Sequence, residues 1–275
     1  MSDPLPSKDS RPRSLESWEA RAAPLAVFLL FLLTWQSVVS LWGLPKAVLP
    51  SPLQVADAGW ENRGLLLKGL YATGKAAVLG LSGSVLIGTL LAILFSQSRW
   101  LRISLYPYII FLQTVPIVAI APLLIIWSGN NLRTIVLVAV IISVFPIVAN
   151  VTSGLLSLDR NWRDLFQLNG AGRWQTLWKL QLPAAVRFLV IGTRIASGLA
   201  VIGAIIGEFF VGNGTAYDGL GTLMTQWQTR QKTDALIAAV GASTLLGVGF
   251  FLAVNLVSGT LLRRWTRTVD FEAAG

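Results

Sequence analysis

The 275-residue chain contains no cysteine and no histidine. The missing cysteine excludes disulfides and cysteine metal sites, and the missing histidine removes the commonest general base and metal ligand. Most nucleophilic and metal-dependent enzyme classes are poor interpretations of such a chain. We therefore expect no catalytic residue, no metal site and no cofactor bound by this chain.

Charged residues are also scarce. They make up 13% of the chain, against about 25% in an average soluble domain, whereas 54% of the residues are hydrophobic. The net charge of +9 could suggest nucleic acid, but Lys and Arg concentrated on the cytoplasmic side of a membrane explain it better. The composition predicts an all-α polytopic protein of the lipid bilayer that binds no nucleic acid.

Six apolar stretches are long enough to cross a bilayer. The first follows a basic N-terminus, as a signal peptide would, but no small-residue cleavage site follows it. The predicted spans are 24–43, 70–95, 104–127, 132–156, 184–207 and 234–259. They form one transmembrane domain, 24–259, between an N-terminal tail, 1–23, and a C-terminal tail, 260–275.

The distribution of basic residues predicts the orientation. With the N-terminus inside, 14 of the 22 Lys and Arg fall on the cytoplasmic side and 6 on the outer side. This bias favours cytoplasmic termini and a cytoplasmic loop at 158–183. On the outer side we expect a short amphipathic helix at 54–68 and a glycine-rich loop at 208–233.

Two spans carry a small residue at every fourth position, which lets membrane helices approach closely. Close packing explains both stripes better than chance filler on a lipid-facing surface. The third span holds prolines that can bend it. The stripes are Ala76, Gly80, Ser84, Gly88 and Ala92 in one span and Gly192, Ala196, Ala200 and Ala204 in the other; the prolines are Pro107, Pro116 and Pro122.

Few polar side chains interrupt the spans. Arg194 near mid-membrane costs at least ~2.5 kcal/mol, so it faces a partner or a watery cavity, unless it lies near the edge and snorkels. Glu208 at the outer end of that span fits a solvated carboxylate better than a gating role. Uncharged polar groups bond to a neighbouring helix more often than they line a cavity. The candidate pathway residues are Gln113, Thr114, Asn150, Arg194 and Glu208.

Residues 69–76 fit the pattern G-x-x-x-x-G-K of a phosphate-binding loop. Such a loop needs Ser or Thr next and a strand before it. Here Ala76 follows, no strand precedes, and the charge bias places the segment outside. If ATP supplies the energy, another chain must bind it.

The longest polar-rich interruption after the first span is 164–185. In it, nine residues separate Gly170 from Leu180, and Leu182-Pro183 follows at once. The spacing resembles the cytoplasmic signature loop of ABC importer permeases. This chain departs from that loop in its first triplet, where Asp164-Leu165-Phe166 stands in place of the usual Glu-Ala-Ala. The other interpretation is an ordinary amphipathic connector.

Further motifs are similar to those of the nitrate/sulfonate/taurine family of ABC permeases, over residues 45–260. They are Leu49-Pro50-Ser51-Pro52, 111–127, Phe145-Pro146-Ile147, 170–174 and Gly219-Leu220-Gly221. The resemblance implies a type I importer permease in the bacterial inner membrane. It does not select a substrate, because the family serves small anions (nitrate, bicarbonate, sulfonates, taurine) as well as riboflavin and vitamin precursors.

The resemblance also implies partners. Two copies of the chain would form the pathway, two cytoplasmic ATPase subunits holding ATP and Mg would dock on their 158–183 loops, and an extracytoplasmic binding protein would deliver substrate. In this interpretation 164–172 is the docking helix, which Gly170 and Gly172 would end. Leu165, Phe166 and Leu168 would contact the ATPase, while Trp174 and Trp178, with Leu177, would attach the loop to its own bundle. The expected coupling residues are Arg163, Asp164, Leu165, Phe166, Leu168, Gly170, Ala171, Gly172 and Arg173.

Two other classes of protein fit the sequence less well. A self-contained secondary transporter or channel is the main alternative, but such carriers often show inverted repeats, and the two halves of this sequence show none. A membrane enzyme is less compatible, because the chain lacks His, Cys and paired intramembrane carboxylates.

The topology is directly testable. Reporter fusions should place both termini and the 158–183 loop in the cytoplasm, because the basic residues concentrate there. Fusions that place the 158–183 loop outside the cell would contradict the importer interpretation.

Overall fold

The computed structural model describes residues 13–212 and 217–272, with the side chains of 22–159, 161–212 and 217–260. Every regular element in this part of the chain is helical. In order they are α1 (Arg13–Trp42), α2 (Pro52–Glu61), α3 (Arg63–Gln97), α4 (Arg99–Thr114), α5 (Ile117–Ser128), α6 (Leu132–Leu156), α7 (Arg160–Leu168), α8 (Arg173–Thr176), a π-helical segment (Leu177–Gln181), α9 (Leu182–Val211), α10 (Leu220–Thr229) and α11 (Thr233–Glu272).

Five described helical stretches are long and apolar enough to span a membrane, and a bent pair, α4 and α5, makes a sixth if it crosses as one unit. The chain bends by 102° between the two helices of this pair. The stretch 104–127, predicted as the third span, is therefore two helices, with the bend at one of the prolines that were expected to bend it. Pro116 has no N–H to continue the helix, and Val115 before it is extended, so the chain turns between α4 and α5.

Other boundaries also differ from the predictions. The helix expected at 54–68 is present with other bounds, because a capping box between Ser51 and Gln54 starts α2 at Pro52, and α2 ends at Glu61. The glycine-rich loop at 208–233 contains α10. Helices α1 and α11 extend into the two predicted tails, whose remaining residues, 1–12 and 273–275, lie outside the described part.

Helix α6 is the centre of the bundle. It packs along α9 and α3, which also contact each other. Of its most apolar stretch 61% is buried, against 6% of the corresponding stretch of α1, which touches the rest of the described chain mainly through α2. The three helices α3, α6 and α9 therefore form the core, and α1 lies at its edge.

The two small-residue stripes face this core, as predicted. Every member of both stripes is buried. A Cβ on Gly80 would lie 2.5 Å from the Cβ of Ala139, and one on Gly192 would lie 2.9 Å from the carbonyl oxygen of Pro146. Ser84 adds a polar contact, since its hydroxyl lies 2.7 Å from that of Ser143. The stripes thus bring both α3 and α9 close to α6.

This packing predicts that one methyl group is enough to disturb the core. Gly80→Ala should lower the free energy of unfolding by about 1–3 kcal/mol, the usual cost of overpacking, although Ala is the better helix former. Thermal unfolding of the purified subunit in detergent measures the change. Gly198→Ala is the matched control, because its Cβ meets no atom within 4 Å. Equal unfolding temperatures for the two variants would contradict close packing at Gly80.

Candidate functional site

The connection between α6 and α9 contains a short helix, a sharp turn and a π-helical segment. Asp159 caps α7, with its side chain accepting from the N–H of Asn161 at 3.1 Å. The helix ends at Leu168, and Gly170 turns the chain with a φ of +71°. The predicted stop at the glycines is confirmed, but the helix covers 160–168 rather than starting at Asp164.

Helix α7 presents apolar side chains to its surroundings. Leu168 is 85% exposed, and Trp162 and Leu165 are also exposed. Phe166 is half-buried instead, in a cavity of ≈ 350 Å³ that it lines with Ala171 and Lys179 among others. The exposed face therefore consists of Trp162, Leu165 and Leu168. Trp162 was not among the predicted coupling residues, although its spacing of three residues from Leu165 indicates the same helix face.

The prediction that Trp174 and Trp178 attach the loop to the bundle is wrong. They are 71% and 67% exposed, whereas Leu177 between them is 1% exposed and packs against Val151 and Leu155 of α6. In the π-helical segment Leu177 and Gln181 point inward, whereas Trp178 within the segment and Trp174 before it are exposed.

A cavity of ≈ 600 Å³ lies where α4 breaks from α5. Gln113 and Thr114 line it together with Phe145 of α6 and Ile202 of α9. Both polar residues are exposed, and the Thr114 hydroxyl donates to the carbonyl of Phe111 at 2.8 Å. The structure thus brings two of the five candidate pathway residues together, in a cavity to which the described part of the chain contributes no charged side chain.

Asn150 and Arg194 do not line this cavity. Asn150 donates to the Pro146 carbonyl within α6 at 2.8 Å. Arg194 is half-buried, and its Nε has no hydrogen-bond partner among the described residues. These two residues are therefore separate from the pair at the helix break.

Glu208 is fully buried, so the interpretation of a solvated carboxylate at the outer end of the span is wrong. Its Oε2 accepts from the hydroxyl of Thr73 at 2.9 Å and from the N–H of Gly221 at 2.8 Å. Thr73 in turn accepts from the N–H of Leu220 at 2.8 Å. Glu208 and Thr73 thus join α9 and α3 to the first residues of α10, and we call these four residues the Glu208 cluster.

Close backbone approach makes this cluster possible. A Cβ at Gly219 would collide with the Glu208 carboxylate, and one at Gly221 would lie 2.5 Å from the Ile205 carbonyl oxygen. The phenol of Tyr217 donates to the carbonyl of Ala72, and burial, with a smaller effect of Glu208, raises its pKa, so it stays a donor. The Gly-Leu-Gly motif was the sequence signal, but its buried partner was not evident from spacing.

Residues 69–76, with the phosphate-loop pattern, lie inside α3. Their backbone N–H groups are used by the helix, and Thr73 belongs to the Glu208 cluster. The pattern does not form a nucleotide site here, because a phosphate-binding loop needs free backbone N–H groups directed at the ligand.

Fold and loop together define a helical membrane subunit with an exposed apolar helix between two spans. The family model of the binding-protein-dependent transport system inner membrane component matches residues 84–269. That match covers more than half of the chain, and the chain therefore belongs to this family.

Relatives match over nearly the whole length. The riboflavin transport system permease protein of Chloroflexus aurantiacus is 35% identical, over 95% of this chain and 97% of its own. The formylaminopyrimidine transport permease protein of Halalkalibacterium halodurans is 31% identical, over 87% and 94%. The putative aliphatic sulfonates transport permease protein of Escherichia coli is 28% identical, over 92% and 94%.

The fold has a solved counterpart as well. The inward-facing MetNI methionine ABC transporter superposes with a TM-score of 0.55 at 19% identity, over 71% of this chain and 97% of that chain. The chain is thus the permease subunit of an ABC importer, a multi-pass inner membrane protein that works with separate ATPase subunits and a substrate-binding protein. ATP is hydrolysed by the ATPase subunits rather than by this chain.

The Glu208 cluster predicts a strong effect of a near-isosteric change. Thr73→Val removes the donor to Glu208 and the acceptor of Leu220, and it should lower the free energy of unfolding by about 1–3 kcal/mol. Thermal unfolding measures this, with Thr244→Val as the control, because exposed Thr244 bonds only to Val240 of its own helix. Equal losses in both variants would show that the cluster adds no stability.

Proposed function

We propose that the ATPase docks on α7 and the turn after it, residues Arg163 to Arg173. The observation that carries this proposal is the exposed apolar face formed by Trp162, Leu165 and Leu168. An apolar face on a loop between two spans is covered in the working molecule by another surface. Arg163 and Asp164 lie beside this face and would set the register of the partner.

In this proposal the residues of the loop have different roles. Leu165 and Leu168 contact the ATPase directly. Gly170, Ala171 and Gly172 form the turn that returns the chain to the bundle, and Gly172 starts α8, where its N–H donates to the side chain of Gln175 at 3.0 Å. Phe166 holds α7 against this turn, and Arg173 begins the segment that enters the membrane.

A second copy of the chain would complete the pathway. The cavity at the break between α4 and α5 is bounded by α4, α5, α6 and α9, and large apolar side chains are exposed on both arms of the bent pair, among them Phe111 and Ile126. A homodimer with this face inside would enclose a pathway between the two copies. In that arrangement residues 24–259 form the permease domain, and the segments at both ends are cytoplasmic tails.

We further propose that the substrate is an uncharged vitamin or vitamin precursor rather than a small anion. The cavity offers the uncharged groups of Gln113 and Thr114 and no cation, and a buried anion without a cation is costly. The relatives that transport riboflavin and a formylaminopyrimidine are 35% and 31% identical, against 28% for the sulfonate permease. Asn150, Arg194 and Glu208 then act outside the contact with substrate.

The docking proposal predicts a selective loss. Leu168→Ala should weaken co-purification of the ATPase and lower transport, because truncating an anchor at a small interface commonly costs ~2 kcal/mol, while the subunit's own unfolding temperature stays unchanged. Phe166→Ala should also lower that temperature, since Phe166 is half-buried. Leu67→Ala is the control, because Leu67 is an exposed leucine near the N-terminal end of α3 and is not part of α7. Normal ATPase retention by Leu168→Ala would contradict docking at α7.

The substrate proposal predicts a pattern of competition. In vesicles that contain the complete importer, unlabelled riboflavin or an aminopyrimidine should compete with import, whereas nitrate, bicarbonate and an alkyl sulfonate should not. Arg194→Leu should leave the import rate unchanged, because Arg194 does not line the cavity. Competition by the anions together with a loss of import in Arg194→Leu would contradict an uncharged substrate and favour an anion pathway.

A further inference from the structure

A hydrogen bond between two glutamines joins parts of the chain that lie 84 residues apart. The amide nitrogen Nε2 of Gln97 donates to Oε1 of Gln181 at 3.0 Å. Gln181 is the last residue of the π-helical segment, and its side chain is only 7% exposed. Gln97 is the last residue of α3. We call this contact the glutamine bridge.

The π-helical segment connects the loop that carries α7 to the membrane bundle. The N–H of Leu182 bonds to the carbonyl of Leu177 five residues earlier, as a π-helix requires. Leu177 is buried among residues of α6 and α9, so one face of the segment is fixed. Gln181 is the buried polar group of the same face, and a change in the segment therefore acts on Gln97.

Gln97 lies at the corner that leads into the bent pair. Ser98 follows it and caps α4 by accepting from the N–H of Leu101 at 3.3 Å. Just before the corner, Phe95 contacts Tyr106 of α4 edge-to-face, with ring centroids 6.0 Å apart. Helix α4 has few other contacts with the bundle and ends at Gln113 and Thr114, which line the cavity. Movement of the corner therefore moves the helix that borders the cavity.

We propose that Gln97 and Gln181 are positioning residues for coupled import, which transmit movement of the ATPase-docking loop to α4 and so to the cavity. The proposal rests on the docking at α7 proposed above. Leu177 keeps the π-helical segment attached to the core, while the glutamine bridge carries its displacement to the corner between α3 and α4. An amide pair suits this place, because each side chain has a donor and an acceptor and can re-form the contact after a small shift.

The experiment reports the position of α4 without requiring the substrate. Thr114→Cys supplies the single thiol of this cysteine-free subunit, and maleimide labelling is timed in the purified complex with its ATPase, with and without MgATP. MgATP should change the labelling rate. Adding Gln181→Met or Gln97→Met should shrink that change about fivefold, the factor expected for one net hydrogen bond, with the ATPase still bound.

Three further variants separate a bridge from general packing. Gln181→Glu keeps the acceptor for Gln97 and should keep the MgATP-dependent change in labelling rate. The double variant Gln97→Met/Gln181→Met should be no worse than either single one, because both remove the same contact. Gln228→Met, an exposed glutamine of α10, is the matched control and should respond normally.

Several outcomes would overturn the proposal. The first is a full MgATP-dependent change in labelling rate in either methionine variant, and the second is an additive loss of that change in the double variant. The third is loss of the ATPase from the methionine variants. The fourth is a labelling rate that MgATP does not change when both glutamines are present. Failure of the docking proposal is distinguishable, because it would show as normal ATPase binding by Leu168→Ala, whatever the glutamine variants do.

Discussion

The close contact of α3 and α9 with α6 is the constraint on which the remaining structure depends. In a membrane the lipid is as apolar as the side chains, so helices gain stability from close approach rather than from leaving water. Gly80 of α3 and Gly203 of α9 both permit close approach at Ala139 of α6, and Gly192 permits it at Pro146. Because these contacts leave no room for a methyl group, the three helices form a fixed body.

The more loosely attached parts follow from that fixed body. Helix α7 lies at the end of a turn, and the bent pair α4 and α5 touches the core less extensively than α3 or α9 does. The N-terminal part of α3 and the C-terminal part of α9 are joined instead by the Glu208 cluster, in which the Glu208 carboxylate of α9 and the Thr73 hydroxyl of α3 hold the start of α10. The described part of the subunit thus has one closely packed region and two regions with fewer contacts to it.

Residue spacing within one helix predicted the features that depend on that helix alone. The four-residue spacing of small residues indicated which faces of α3 and α9 pack, and Gly170 indicated where α7 stops. Contacts between distant segments were not accessible in this way. Pro107, Pro122 and Pro146 lie inside helices, whereas Pro116 ends one, and the burial of Glu208 requires α10 to fold back over it. Trp178, predicted to pack on the bundle, is exposed within a π-helical segment that the sequence pattern did not predict.

The central claim is that the exposed face of α7 is the surface that receives the ATPase. Leu168→Cys, introduced into this cysteine-free chain, places one thiol on that face, and maleimide labelling is timed before and after addition of the purified ATPase subunits. The same measurement on Trp60→Cys, at an exposed position of α2, provides the reference. We predict that the ATPase slows labelling at position 168 and leaves position 60 unchanged. An unchanged labelling rate at position 168 with the ATPase bound would contradict the account.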